Sequence, residues 1–573
     1  MDARKPKSNR YVSPEGRCIN CSFSTRKAFC TIQGFLCYSI TMSGLRSLDP
    51  VASSLATVAV ISYSVVLIYR YIMHPLKQYP GPLLAKVTDM YAAYFAIRMD
   101  IHLKTYEDHL RYGPVLRHGP NKLIFNSVQA MQDIYLDDSV FKSSVYALTN
   151  QGRDIWNIFN VIDKKLSRAK RRAIGQAFSP LFLRKFEPTI HEQTDVFLKG
   201  LLGSIGGPVN MTERCQRLSV DVIGFLAFGY PFSTQTIEDN RFMFRAFELS
   251  SWKGNVFMQF PPLRNLLRVH LLYSHFNIGI RERFMRLVEK MIQSRLGQDS
   301  GSRSDLYSLL SEESRRVSGG IRASELWSEA LIFITAGGDT ITVAMSALFF
   351  YLSRNKACYI KLADEVRSAF KDGKDIKGGP SLSGCRYLRA CIDEALRLSP
   401  PVPGTLWREV VNNTKPWIVD GHVIPKGVRV GVCCYALQHN PEYFPEPFRY
   451  HPDRWLCPDT STEAMKRMRA AFVPFSIGSR ACIGRDLAYL ELSLVMAKTL
   501  WYFDFETAPG KAGDLGAGGR GRSGLRSRAD EFQLNDNFAA THDGPNLVFS
   551  PYQRLEDANL GQSTSQYAVN GPV

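Results

Sequence analysis

The ten residues FSIGSRACIG, Phe475 to Gly484, constrain this chain more than any other stretch, because they hold one thiol, Cys482, between glycines at the mouth of an apolar run from Ile483 to Leu500. Glycine tolerates backbone conformations and close approaches that a side chain blocks. A large planar group can therefore lie against such a loop. The run that follows has helical spacing, and a cysteine just before a helix sits where free N–H groups and the helix dipole favour the thiolate. The competing reading is a structural cysteine beside a glycine turn, since free cysteine is among the most buried residue types.

A second constraint is the apolar run from Leu326 to Leu352, long enough for a buried helix and interrupted by Gly337, Gly338, Asp339 and Thr340. Each glycine weakens a helix interior by about 1 kcal/mol relative to alanine. Two readings compete: close packing against another helix, or a local opening of the helix where a small molecule sits. A third constellation is Glu394 and Arg397 in CIDEALRLSPP, three residues apart on one helix face. Their flanks, Tyr387, Leu388, Ile392, Leu396 and Leu398, are apolar and predict burial.

Phe475, Gly478, Arg480, Cys482 and Gly484 resemble the haem-binding signature of the cytochrome P450 enzymes. The resemblance implies a mainly α fold with small β-sheets, haem b as cofactor, and Cys482 as the proximal thiolate on its iron, a ligation that favours O–O cleavage. ITAGGDT resembles the family's oxygen-binding helix, which implies a hydrogen bond from Thr340 to bound oxygen and a proton-relay role for Asp339. Glu394 and Arg397 resemble the family's Glu-x-x-Arg pair, completed by Arg454 in PDRW; such a carboxylate shared by two guanidiniums locks the thiolate loop. The haem propionates would take Arg480, Arg408 in TLWREV and Arg171 in SRAKRRA. Where the family usually has Trp or His four residues before that last arginine, this chain has Ser167, and Arg168 or Arg172 can substitute for Arg171.

The activity so implied is a monooxygenase that inserts one atom of O2 into a hydrophobic small molecule, with electrons from NADPH through NADPH-cytochrome P450 reductase. Substrate contacts are expected from Asp154 to Phe159, Phe242 to Phe260, Leu331 to Ile334, Val402 to Leu406, and Phe538 to Thr541. Their apolar and aromatic content fits a terpenoid, polyketide or alkaloid intermediate of fungal secondary metabolism. Two other classes share the features: an enzyme of this fold that rearranges or dehydrates its substrate without external electrons, against which Asp339 and Thr340 weigh, and a haem protein without turnover.

Nineteen residues without a charge, Val51 to Tyr69, match the length needed to cross a bilayer core of roughly 30 Å at about 1.5 Å per residue. A transmembrane helix is predicted over residues 51–70, then a proline-bearing hinge over 71–84 (HPLKQYPGP), which resembles membrane-anchored enzymes of this family from filamentous fungi. The catalytic domain is assigned to 85–553 and a tail to 554–573. The implied location is the endoplasmic reticulum membrane, single-pass, with the catalytic domain cytosolic. Residues 1–50 carry eight Lys or Arg, which by the positive-inside rule would place them in the cytosol instead. A start at Met42 leaves only Arg46 before the helix and removes the conflict, so residues 1–41 read as an over-extended start or a disordered extension. Cys18 and Cys21 form half a zinc pattern with no second pair after it.

Twelve cysteines without a framework spacing fit a reducing compartment. The net charge of +18 raises nucleic acid as a partner, but no nucleic-acid motif accompanies it and none is expected. Lys165, Arg168, Lys170, Arg172, Lys466 and Arg485 instead read as a docking face for an acidic reductase. Of the sequons at Asn20, Asn210 and Asn412, the last two would be cytosolic and unused. Helical patterns fill Ser179–Leu202, Arg214–Phe228, Asn277–Leu296 and Ser324–Leu352; strand signals occur at Val115–Arg117, Trp417–Val419 and Val428–Cys433. Ala508–Gly524 reads as a flexible Gly-rich loop, and EFQLNDNFAATHDGPNLVF resembles the family's closing hairpin.

Overall fold

The computed structural model describes residues 50–150, 155–264, 275–296, 323–410, 416–457, 462–519 and 524–552. The expectations for the extension, Met42, Cys18, Cys21, Asn20, Asn412, Asp154 and the tail fall outside them. The chain divides at Tyr69 into two units. The first contains the helix Pro50–Ile68. Its apolar side chains, Leu55, Val58, Ile61 and Val65 among them, are exposed on every face. Together with the residues that follow, Ser53–Met73 forms an apolar span with nothing buried. A helix apolar all round needs an apolar surrounding, which makes this segment a candidate membrane anchor.

The second unit begins at Arg70, and the segment read as a hinge is bound into it. Leu76 and Tyr79 are buried, and the Arg117 N–H donates to the Pro80 carbonyl at 2.7 Å. Gly81, at φ +153°, lies so close to Arg117 that a Cβ would come within 2.4 Å of its carbonyl oxygen. Burial of Leu76 and Tyr79 fixes the middle of the segment to the second unit, while Tyr71, Ile72, Met73, Leu83 and Leu84 are exposed.

Helices form the bulk of this unit. The central helix, Ala323–Arg354, packs against Met211–Phe228; around them lie Pro180–Leu202, His275–Leu296, Arg386–Leu398 and Arg485–Tyr502. Their inward faces build one apolar core that includes Leu218, Val222, Leu348, Phe349, Ile392 and Leu492. The predicted helices are all present, with ends moved by a few residues at most.

A five-stranded sheet runs in the order Val115–Gly119, Lys122–Phe125, Arg429–Val432, Arg408–Glu409, Phe141–Lys142. Only the pair Lys122–Phe125 with Arg429–Val432 is parallel. Trp417–Val419 pairs with His422–Ile424 around Asp420 and Gly421, both at positive φ, the geometry that suits a tight Asp-Gly hairpin turn. In a third sheet Asn546–Pro551 pairs with Phe503–Thr507, and within the segment read as a closing hairpin Asn535 and Thr541 exchange backbone hydrogen bonds at 2.7 and 2.9 Å as an antiparallel bridge. In the described part of the Gly-rich stretch, up to residue 519, Gly513 and Ala517 are buried and a short helical turn spans Gly510–Asp514.

Candidate active site

Glu394 is fully buried at the centre of a closed network. Its Oε1 accepts from Arg397 at 2.9 Å, Arg454 at 3.0 Å and the His451 backbone N–H at 3.0 Å; its Oε2 accepts from Arg397 and the Trp455 indole, each at 3.0 Å. Burial raises its pKa, but the two guanidiniums and the His451 N–H outweigh burial and hold the carboxyl below its ordinary value. Arg397 also donates to the carbonyls of Gln438, Pro447 and Arg449. Three separate chain segments are thereby fixed to one carboxylate. The indole of Trp455 is a member that charge-pair reasoning passed over.

The thiol loop is shaped by two backbone features. The Cys482 N–H donates to the Phe475 carbonyl at 2.8 Å, closing the loop on itself. Gly478 sits at φ +78°, and a Cβ there would come within 2.0 Å of the Tyr135 carbonyl oxygen. No other residue fits. Cys482 faces a cavity of about 1230 Å³; it is open to a water-sized sphere from that side while protein encloses it elsewhere. Burial pushes its thiol up, opposed by the Gly484 N–H and by Arg171 and Arg485.

The central helix lines the same cavity with Ala336, Gly337 and Thr340. This helix does not open at its glycines. It runs as one α-helix from Ala323 to Arg354, and the glycines are there for packing: a Cβ on Gly337 would lie 2.7 Å from Ile223 Cδ1, and one on Gly338 2.8 Å from Val220 Cγ2. The Thr340 hydroxyl donates to the Ala336 carbonyl at 2.7 Å, a back-bond typical of threonine in helices. Asp339, one residue before Thr340, is 7% exposed, and burial, then the nearby charge of Glu248, pushes its carboxyl up to about 7.

Cations gather at one side of the cavity. Arg480 donates to the carbonyls of Val161 and Ile162 at 2.8 and 3.1 Å, and Arg408 donates to Trp407 at 3.1 Å while lying over the Tyr135 ring. Lys142 lies opposite Arg408 in the sheet register and donates to the Phe159 carbonyl, with the Tyr146 and Phe159 rings 4.0 and 4.2 Å from its ammonium. Burial, then Arg408, Arg480 and Arg171, force the Lys142 pKa well down; burial, then Arg408 and Arg171, lower Arg480 to about 10. Lys142, Arg408 and Arg480 thus line the cavity together, three cations that form a site for anionic groups. Sequence reasoning did not find Lys142, because a two-residue strand gives no periodic signal.

Arg171 differs from its expected role. It donates to the Ala481 carbonyl, next to Cys482, at 2.8 Å, and it is not part of the cavity wall. Ser167, in the place of the aromatic, is buried. Lys170 is also not on a docking face: 4% exposed, it pairs with Glu329 at 2.9 Å and Glu325 at 3.2 Å. Lys165, Arg168, Arg172, Lys466 and Arg485 are exposed.

Each expected substrate segment reaches the cavity through described residues, including Asn157, Phe159, Phe247, Leu331, Val402 and Phe538. The helix His275–Leu296 adds Ile280, Phe284 and Met285, which its amphipathic pattern alone did not single out. Phe538 holds φ +81°, braced by a hydrogen bond from its N–H to Asp536.

The donor set fits haem. Cys482 and the glycines Gly337 and Gly484 line a cavity large enough for a porphyrin. The cation cluster matches two propionates, and the glycines clear the loop for a flat ring.

A family model for "Cytochrome P450" matches residues 81–515. The chain is 35% identical over 509 residues to "Cytochrome P450 monooxygenase poxM" of Penicillium oxalicum, covering 86% of this chain and 94% of that one. It is 34% identical over 498 residues to "Cytochrome P450 monooxygenase AKT7" of Alternaria alternata, covering 84% and 94%. To "Cytochrome P450 monooxygenase atnE" of Emericella nidulans it is 33% identical over 513 residues, covering 86% and 95%. With the cysteine loop, the locked carboxylate and the cation-lined cavity on one fold, this chain belongs to the cytochrome P450 family and is one of its monooxygenases.

Proposed function

We propose that Cys482 holds haem b and that the enzyme inserts one atom of O2 into a hydrophobic intermediate of fungal secondary metabolism. Electrons come from NADPH through NADPH-cytochrome P450 reductase, and the anchor lies in the endoplasmic reticulum membrane with the catalytic unit in the cytosol. The observation that carries this reading is the Cys482 thiol, open to a large, mostly apolar cavity that Lys142, Arg408 and Arg480 also line; the cavity's other cysteine, Cys434, is buried and donates to the Val473 carbonyl. The names and fungal sources of the relatives support it.

Haem bound there supplies oxygen activation and the oxidising chemistry; the chain supplies position and protons. Phe475, Gly478 and Gly484 shape the bed, and Arg480, Arg408 and Lys142 answer the propionates, with Arg171 steadying the loop through the Ala481 carbonyl. Thr340 offers its Oγ to the cavity and releases its proton from the Ala336 carbonyl when a better acceptor is present. The Asp339 carboxyl holds a proton up to about pH 7, which suits a general acid near neutrality. The apolar wall keeps water from the reacting carbon. Exposed Lys165, Arg168, Arg172, Lys466 and Arg485 steer the reductase.

The test is spectral and then chemical. Carbon monoxide added to the reduced protein gives the red-shifted Soret band of thiolate-ligated haem, and Cys482→Ser loses it. Turnover under labelled oxygen with reductase and NADPH adds one labelled atom to the product. A product formed without NADPH, or without label, points to rearrangement or dehydration instead.

A further inference from the structure

The cavity wall has an unusual charge balance. Among the described residues it carries Lys142, Lys253, Arg264, Arg408 and Arg480, and no Asp or Glu. Lys142, Arg408 and Arg480 belong to the cluster that the haem propionates answer. Lys253 and Arg264 do not: neither is among the charges that perturb Lys142 or Arg480. They stand on the helix Phe242–Gln259 and the turn after it. Lys253 is exposed and Arg264 half-buried, and neither has an ion-pair partner among the described residues. Two propionates leave this second pair of cations without a counterion.

We propose that the substrate is an amphiphilic carboxylic acid, whose carboxylate is held by Arg264 and Lys253 while its apolar body extends into the cavity. This rests on the haem-thiolate reading above. The physical grounds are these. A guanidinium binds a carboxylate bidentately, and Lys253, exposed while lining the cavity, draws anions in by a long-range field. Phe247, Phe257, Phe284 and Leu331 line the same cavity as Lys253 and Arg264, so the wall offers cations and apolar surface together, the complement of a molecule polar at one end only. A cavity of about 1230 Å³ exceeds the roughly 300–1,000 Å³ of an ordinary ligand pocket, so it has room for a prosthetic group and an extended substrate together. Carboxylate recognition at one end also fixes which carbon reaches the thiolate side, by the length of chain between them.

The test uses the full-length holoenzyme in detergent and saturated fatty acids of graded length, their methyl esters and the matching alcohols. Binding is read in two ways: the spin-state shift of the Soret band, and displacement of a fluorescent fatty acid, which does not depend on the ligation of the iron. An acid should bind about 10–100-fold more tightly than its ester, the worth of one charge-assisted hydrogen bond. Arg264→Gln should remove most of that preference while leaving ester affinity and the carbon monoxide spectrum unchanged, and Lys253→Gln should lessen it and its salt dependence. Equal affinity for acid and ester, no binding by any acid, or a preference that survives both substitutions overturns the proposal. An altered carbon monoxide spectrum in the wild type with the acid preference intact would count against the haem-thiolate reading alone. Acid binding that requires anionic or zwitterionic lipid, and is lost in neutral detergent, would assign these cations to the membrane surface and overturn the proposal as well.

Discussion

Asp339 is, with Glu491 and Asp536, one of three buried carboxyls pushed far above their ordinary range. Its ordinary value is 3.8 and burial, then Glu248, raises it to about 7. The folded chain therefore keeps a proton that the unfolded chain releases, and stability falls as pH rises from about 4 to about 7. The full shift corresponds to a cost on the order of 4 kcal/mol at neutral and higher pH. Asp339→Asn should melt at the same temperature as the parent near pH 4 and at a higher one from pH 7 upward, by parallel thermal melts; a gap that is constant with pH would refute the buried-acid account. Its turnover should fall, with more reduced oxygen released as peroxide. Gly478 makes the opposite case, a residue chosen for what it lacks. Gly478→Ala puts a methyl group into the Tyr135 carbonyl and adds about 1–2 kcal/mol for a left-handed backbone. The expected result is protein with helical circular dichroism intact but little carbon-monoxide-reactive haem.

At the scale of elements, two contacts do most to fix the site. Glu394 ties helix Arg386–Leu398 to the loops at residues 438–455 that lead into the thiol loop. Removing its charge while keeping its shape, Glu394→Gln, leaves two buried guanidiniums short of a counterion and should lower stability by about 3–5 kcal/mol, seen as an earlier urea midpoint. The second contact is the near touch of the central helix and Met211–Phe228 at Gly337 and Gly338. Gly337→Ala should gain about 1 kcal/mol of helix propensity and lose about 1–3 kcal/mol to overpacking against Ile223. Pairing it with Ile223→Ala should recover part of the loss, and a double-mutant cycle that shows no coupling would mean the glycine serves something other than packing.

At the scale of the whole molecule, the division at Tyr69 predicts separable tasks. A chain starting at Arg70 should keep the carbon monoxide spectrum of the full protein and no longer sediment as an integral protein after alkaline extraction of membranes; loss of the spectrum would show that the catalytic unit needs its anchor. Much of this organisation was legible in the sequence. The Cys482 loop, the Glu394 pair and the apolar run of the anchor are local patterns, in which the chemistry depends on residues a few positions apart. The same locality made Trp417–Val419 readable as a strand and Pro180–Leu202 as a helix. Local pattern misled where burial decides the role: Lys170 reads as surface charge by composition, yet Glu325 and Glu329, more than 150 residues away, bring it inside. The paired glycines of the central helix read equally as an opening or a close contact until Val220 and Ile223 stood against them. Sequence by itself determined the family and singled out the Cys482 thiol and the candidate anchor, because these rest on short-range spacing and hydropathy. Only the tertiary structure decided which cations face the cavity and which brace its walls, because charge takes its meaning from distance and burial, and both are set by segments far apart in the chain.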